Sequence, residues 1–372
     1  VRTLQEFLRD HDWSFPQARE RLQGHVAALL PSLPADGLGN VGLIDETASV
    51  KSGTQTPGVK RQWCGHLGKT ENCVVTVHLG VCRGRYKTLC DTELYLPEDW
   101  AADRERCRQA GIPVDLVYRP KWQIALEELD RARDHGLALD WLTFDEEYGK
   151  APEFVCGLDE RGRRFVGEVP KTLSCLAVSR SGHRPEAAVK GRPAEEVVRQ
   201  SPAFLRQPWQ RVQLSRQTLD EQVWEVKAAQ VWQVQDKQWS QRTYWLLWAR
   251  NVRTGEEKYF LSNAAADAKV ATLVRVAFRR WNVEHSFRVA KSELGLAHYE
   301  GRNYVALMVC AHRATGDGDL WNQGSKAQRG QQAERRLVVR LRNRTAGEIH
   351  RGVGNREGGA RLCRQARIQA LR

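Results

Sequence analysis

No run of about 18 apolar residues occurs in the 372-residue chain, and its first residues hold neither a basic leader segment nor an apolar stretch. Neither a membrane span nor a signal peptide is therefore expected. No Cys-x-x-Cys occurs either: the nine cysteines (64, 73, 82, 90, 107, 156, 175, 310 and 363) are odd in number and scattered. That pattern speaks against a disulfide framework and for free thiols in a reducing, cytoplasmic setting. Cys64, His66 and Cys73 lack a matching second pair, so packed or surface thiols outrank a zinc set. The last 60 residues lack core material, with nine Gly, 13 Arg, one Lys and a single aromatic, Trp321. They supply +9 of the net charge of +13, which leaves +4 on the first 312 residues, so overall basicity is weak evidence for nucleic-acid binding.

What is present begins with Val41–Cys73. A short apolar run, Val41-Gly42-Leu43-Ile44, reads as a buried strand delivering Asp45 at its end. Turn chemistry follows at Lys51-Ser52-Gly53 and Thr56-Pro57-Gly58, and Val74–Cys82 is fit for a pairing strand. Alone, these residues are an ordinary hairpin with a carboxylate. Upstream, Val1–Leu33 reads as helical, interrupted near Ser14-Phe15-Pro16. Downstream, Leu89–Leu96 reads as a third strand, Pro97 opens a charged helix to about Gly111, and Lys121–His135 is an amphipathic helix with Ile124, Leu126, Leu129 and Ala132 on its apolar side. Leu137–Phe144 then runs apolar and continuous into Asp145. A second strand-end Asp after a helical crossover is what a parallel neighbour of the first strand would give. Cys175–Asn263 holds short runs rich in Trp and β-branched residues, read as strands whose tryptophans mostly pack, with base stacking by one or two as the minority role. From Val270 a helix carries Arg280, Glu284, Phe287, Arg288 and Lys291 on one face at spacings of three and four. A Glu…Lys helix face by itself is usually just solvated.

In order along the chain stand Asp45-Glu46-Thr47, Lys51-x-Gly53, Gly58-Val59-x-Arg61-Gln62 and Gly65-x-x-Gly68-Lys69-x-x-Asn72-Cys73. Further on come Asp145-x-x-Tyr148-Gly149, Val169-Pro170-Lys171-Thr172, and Arg280-x3-Glu284-x6-Lys291 followed by Gly295-Leu296 and His298-Tyr299-Glu300-x-Arg302. From about Arg2 to about Val309 the chain resembles the DDE transposases of bacterial insertion sequences. Two departures are Glu46, where relatives often carry Asp, and Ala277, where the Tyr-x2-Arg-x3-Glu-x6-Lys signature has Tyr. The resemblance implies an α/β fold: a ribonuclease H-like core with a mixed sheet, interrupted by a β-rich insertion. It divides the chain into a remnant of a helical N-terminal DNA-binding region (1–36), the first part of the core (37–174), the insertion (175–263), the core's C-terminal helices (264–312) and a basic Arg/Gly-rich tail (313–372). Because relatives carry more helix before the first block and a largely apolar helix after Met308, the expectation is a shortened N-terminus and either a reading-frame shift near Val309 or a disordered basic tail.

The implied function is divalent-metal-dependent cleavage at transposon ends and strand transfer into target DNA. Such phosphoryl transfer needs an activated oxygen nucleophile, an in-line leaving oxygen and charge neutralisation, which two Mg²⁺ (or Mn²⁺) ions supply together. Hard cations want oxygen ligands, so Asp45 (bridging), Asp145 and Glu284 are the implied catalytic and metal-binding set. Arg280 and Lys291 would grip end phosphates, with Arg288, Lys51, Lys69 and Tyr148 as further DNA-contacting candidates. The partners are double-stranded DNA and a second copy on DNA, with no membrane and no nucleotide cofactor, in the bacterial cytoplasm at the nucleoid. The competing functions are a catalytically inactive, transposase-derived DNA-binding remnant and a metal-dependent repair nuclease, which would not need the Arg280-Glu284-Lys291 face.

Overall fold

A computed structural model describes residues 14–214 and 223–313, which form a mixed α/β arrangement with two sheets. The expected helix at Leu4–Leu8 and the tail after Arg313 lie outside the described residues. The chain enters through α1 (Phe15–Leu29), started by Ser14 at the cap and Pro16 in the first turn.

The first sheet contains β1 (Val41–Val50), β2 (Lys60–Cys64), β3 (Lys69–Arg83), β4 (Tyr86–Leu94) and β5 (Trp141–Phe144). Its order is β2-β3-β1-β5, with β4 also on β3. β1 and β3 pair antiparallel along ten rungs, whereas β1 and β5 pair in parallel over four, Val41↔Trp141 to Ile44↔Phe144. The expected parallel neighbour is therefore present. Two expectations change. β1 does not end at Asp45 but runs on to Val50, because β3 continues to pair with it; Asp45 ends only the parallel ladder. Leu137–Asp140 is not strand, because it closes the preceding helix: after α4 (Lys121–Asp134), Gly136 turns left-handed (φ 82°) and Leu137 N–H donates to Ala132 O. Between β4 and α4 the charged helix is also two, α2 (Glu98–Ala102) and α3 (Arg104–Gln109), jointed at Asp103, whose carboxylate accepts from Arg106 N.

After β5 come α5 (Glu146–Gly149), α6 (Pro152–Glu160) and β6 (Val166–Glu168). β6 joins the second sheet through β13, and Phe165 just before it makes one parallel bridge with Leu142 of β5. That sheet adds β7 (Ser174–Ala177), β8 (Arg192–Pro193), β9 (Gln210–Gln213), β10 (Val223–Gln235), β11 (Gln238–Trp239), β12 (Tyr244–Asn251) and β13 (Glu257–Ser262). Two short helices the sequence did not announce, α7 (Ala194–Gln200) and α8 (Pro202–Leu205), sit between β8 and β9. Alternation on β10 and β12 sends Trp224, Val226, Ala228, Leu247 and Ala249 inward, into the same apolar cluster as Leu43, Trp141 and Phe260.

The expected single helix from Val270 is α9 (Val270–Ala277), a 3-10 turn at Phe278–Arg280, and α10 (Trp281–Ser292). The tight turn brings Phe278 and Trp281, three apart, onto one side, where both rings pack near Trp224 (4.6 and 6.5 Å). α11 (Tyr304–Arg313) closes the described chain against α1 and β4.

Candidate active site

Where the parallel ladder of β1 and β5 ends, the next residue on each strand is an aspartate. Asp45 is 8% exposed, and its Oδ1 accepts from Glu46 N at 2.8 Å. Asp145 caps α5, its Oδ1 taking Glu147 N (3.0 Å) and Tyr148 N (3.4 Å). Burial, then the Asp145 charge, push the Asp45 carboxyl well above the ordinary carboxylate range against the pull of Arg280. Burial, then Glu46, raise Asp145 to about 6. Burial and a neighbouring acid thus bias both carboxyls toward their neutral forms.

The 3-10 turn aims Arg280 at this pair. Its Nη1 donates to Asp45 Oδ2 at 2.9 Å and its Nη2 reaches Glu284 Oε1 at 3.3 Å, so one guanidinium joins a buried and an exposed carboxylate. Glu284 stands one turn along α10 with its side chain 61% exposed. Burial works against the Arg280 charge, but Asp45, Asp145 and Glu284 outweigh it and hold the guanidinium firmly protonated.

On the other face of β1, Glu46 Oε1 pairs with Lys121 Nζ of α4 at 2.5 Å. The Tyr148 hydroxyl is fully buried, and after burial itself the charges of Glu46, Asp145 and Asp45 push its pKa up. Tyr148 is thus an inner wall of the acidic site and does not face solvent, as a DNA-contacting residue would have to. Lys51 and Lys291 also turn inward. Lys51 is 3% exposed and donates to Ala297 O (3.1 Å), with Glu300 at 3.8 Å. Lys291 donates to Ala48 O (2.7 Å), tying α10 to β1. Burial lowers the pKa of both. Lys69 and Arg288 stay at the surface, Lys69 beside Glu71 (3.0 Å) and Arg288 beside His285 (2.8 Å).

Comparison with known proteins matches residues 1–244 to the family described as DDE superfamily endonuclease. That span is well over half of the chain and includes both aspartates. The chain belongs to this family. It also resembles a curated relative, the probable transposase for insertion sequence element IS701 of Microchaete diplosiphon, at 29% identity over 164 residues. The matched segment is 44% of this chain and spans about two fifths of the relative (39%).

For a DDE endonuclease, whose family implies a divalent metal, the donor set fits in part. Asp45 and Asp145 are hard oxygen donors at neighbouring positions just past the end of one parallel ladder. The third expected carboxylate does not converge with them: among the described residues no three His, Cys, Asp or Glu side chains lie close enough to hold an ion, and Glu284 faces Arg280 instead. Nor do Cys64, His66 and Cys73 form such a group among the described residues: Cys64 Sγ lies 3.3 Å from His66 Nδ1, and Cys64 packs with Cys73 in a small buried cluster.

Sequence reasoning missed the Glu46–Lys121 pair and the role of Gly149. A Cβ on Gly149 would overlap the Glu168 carbonyl oxygen of β6, so the Tyr-Gly of the second block is a packing requirement on the turn that Asp145 caps. We expect Gly149→Ala to destabilise the fold by about 1–3 kcal/mol, read as a lower denaturation midpoint with an unchanged slope.

Proposed function

We propose that this DDE endonuclease is an insertion-sequence transposase that cleaves DNA at transposon ends and transfers the strand into a target. The observation that carries the proposal is the meeting of Asp45 and Asp145 at the end of one parallel ladder, with Arg280 and Glu284 presented to them by α10. The strand order supports a ribonuclease H-like core: central β1, antiparallel β3 and β4 on one side, parallel β5 on the other. Residues 175–263 then form the β-rich insertion.

In this mechanism Asp45 and Asp145 would hold Mg²⁺ or Mn²⁺, two ions in the full site, and Glu284, turned from Arg280, would supply the third carboxylate. The chemistry such ions would supply when bound is activation of the attacking oxygen and neutralisation of charge on the phosphoryl and leaving oxygens. Arg280, released from Asp45 and Glu284, presents its fork to a DNA phosphate. Tyr148 and the Glu46–Lys121 pair close the site from beneath and keep water off the aspartates. Lys291 anchors α10 to β1, so that Glu284 and Arg280 are held at a fixed height over Asp45. A homodimer synapsing two ends at the nucleoid completes the proposal.

The test is Mg²⁺- or Mn²⁺-dependent cleavage of a labelled duplex carrying the flanking element's end, comparing the chain with Asp145→Ala. A loss of about 100-fold or more in the variant is expected, as each side chain that stabilises charge in the transition state is worth that much. Binding without cleavage in both proteins would instead mark the chain as a non-catalytic, transposase-derived DNA-binding protein.

A further inference from the structure

The β3–β4 turn brings positive charge to the start of α10 with no acid to neutralise it. Gly84, with φ 56°, takes the left-handed place in this two-residue turn and leaves Arg85 at its exposed tip. Arg83 is taken up by the fold, donating to Leu33 O (2.9 Å) and Asn40 Oδ1 (3.0 Å). Arg85 and Lys87 make no ion pair or hydrogen bond among the described residues. Residues on either side of Arg280 seat the turn: Arg279 Nη1 donates to Gly84 O (3.1 Å) and Asn282 Nδ2 to Cys82 Sγ (3.9 Å). Lys87 stands opposite Cys82 in the strand register, and so lies on the face of the sheet that Asn282 and α10 cover. One turn beyond Asn282 lies the exposed His285, whose Nδ1 accepts from Arg288 Nη2 at 2.8 Å. A neutral ring nitrogen leaves the charge of that guanidinium uncancelled. Lys87 first, then burial and Arg288, lower the His285 pKa. α10 itself holds one acid, Glu284, and Arg280 occupies it. Cations therefore continue from Arg280, at the aspartates, through Arg288 to Lys87 and Arg85.

We propose that Arg85 and Lys87 of the β3–β4 turn, with Arg288 and His285 of α10, form a track for the phosphate backbone of the duplex next to the scissile phosphate. Charge complementarity selects this occupant: three permanent cations without a counter-acid suit a polyanion, and a second copy of the same track would set like charges against each other. No Trp, Tyr or Phe of the turn or of α10 is exposed, so the contacts go to backbone and carry no base sequence. The inference rests on the DNA-end reading above and adds to it where the duplex lies.

The experiment measures Kd against salt for the full chain on two duplexes, one carrying the element's end and one of scrambled sequence. Arg85→Ala and Lys87→Ala should each lower the salt slope by about 1 and weaken both duplexes alike, by about 3- to 10-fold at moderate salt. The double variant should lose both increments while its thermal melting stays that of the parent. Lys190→Ala, which removes one exposed lysine between β7 and β8, should change neither quantity. An unaltered slope and affinity in the double variant would overturn the proposal. So would an equal loss in Lys190→Ala, which would show that only net charge is read. A self-association of the wild type that the double variant lacks would likewise overturn it, by assigning the surface to a second copy. Binding and metal-dependent cleavage by the wild type with an unaffected double variant would remove this inference alone. No binding of the wild type to either duplex would remove the DNA-end reading with it.

Discussion

Asp45→Asn is expected to lose metal-dependent cleavage by about 1,000-fold or more while folding at least as stably as the parent at neutral pH. The carboxylate is the one contacted by Arg280 and the one nearest Asp145 in register, so its removal takes away the proposed bridging ligand. Stability moves the other way because the folded protein holds this carboxyl above its ordinary pKa, burial being the larger cause. A raised folded pKa means that folding takes up a proton. The group's contribution is intact below about pH 4, the ordinary Asp range, and is eroded as pH rises through the folded value. Asn carries no charge to desolvate, and its amide oxygen can still accept from Arg280. In metal-free buffer the variant should therefore gain about 0.5–2 kcal/mol at pH 8 and nothing near pH 4, checked by denaturation at both. Retained cleavage would remove Asp45 from the catalytic set, and a stability loss at pH 8 would mean that the Arg280 pair outweighs burial.

Asp45 and Asp145 were legible as positions because each stands at the boundary of an apolar run, and runs are local, but only the resemblance to a family motif set them, and Glu284, apart from ordinary surface acids. β1 begins and β5 ends where the apolar runs put them, though β1 runs on past Asp45 and β5 starts only at Trp141, and the parallel register that joins Asp45 to Asp145 followed from the intervening helix. The inward turn of the lysines was not legible. Lys51 and Lys291 look like surface cations on a motif, yet their partners Ala297 O and Ala48 O lie 246 and 243 residues away, and no local pattern encodes such a contact. The break at Phe278–Arg280 escaped for a related reason: helical spacing continues across it, and the packing on Trp224 that accompanies it belongs to another sheet. Arg280 owes its position over Asp45 to that break.

Behind the site, on the β4 side, a buried polar cluster should give the largest stability effect in the protein. Asp91 is fully buried and takes Gln23 Nε2 of α1 (3.0 Å), Thr92 N (2.7 Å) and Arg131 Nε of α4 (3.1 Å), with Arg19 Nη1 at 3.5 Å. Glu93 lies 3.6 Å from Arg19 and 3.7 Å from Arg131, and Glu128 is buried beside them. His312 of α11 faces Asp91 at 3.9 Å, but burial pulls its pKa down to about 4, so it adds no positive charge at neutral pH. Three acids thus face two guanidiniums, and one acid is surplus. Glu128 is that acid: burial first, then Asp91, drive its pKa well up, and neither of its oxygens has a hydrogen-bond partner among the described residues. Asp91→Ala would take the nearer carboxylate from both arginines, leaving them only Glu93, and would remove one of the two acceptors of Gln23 Nε2, whose other is Cys90 O, and should cost about 3–5 kcal/mol. Glu128→Met, similar in volume and without polar atoms to satisfy, should instead gain about 1 kcal/mol. The gain should appear above the ordinary Glu range and shrink toward pH 4, because a raised folded pKa penalises folding only once the unfolded carboxyl ionises. Urea denaturation of the two variants at pH 4.5 and pH 8 checks both signs. A destabilised Glu128→Met at pH 8 would show that Glu128 is charged and pairs with Arg131, and that the cluster balances its charges in some other way.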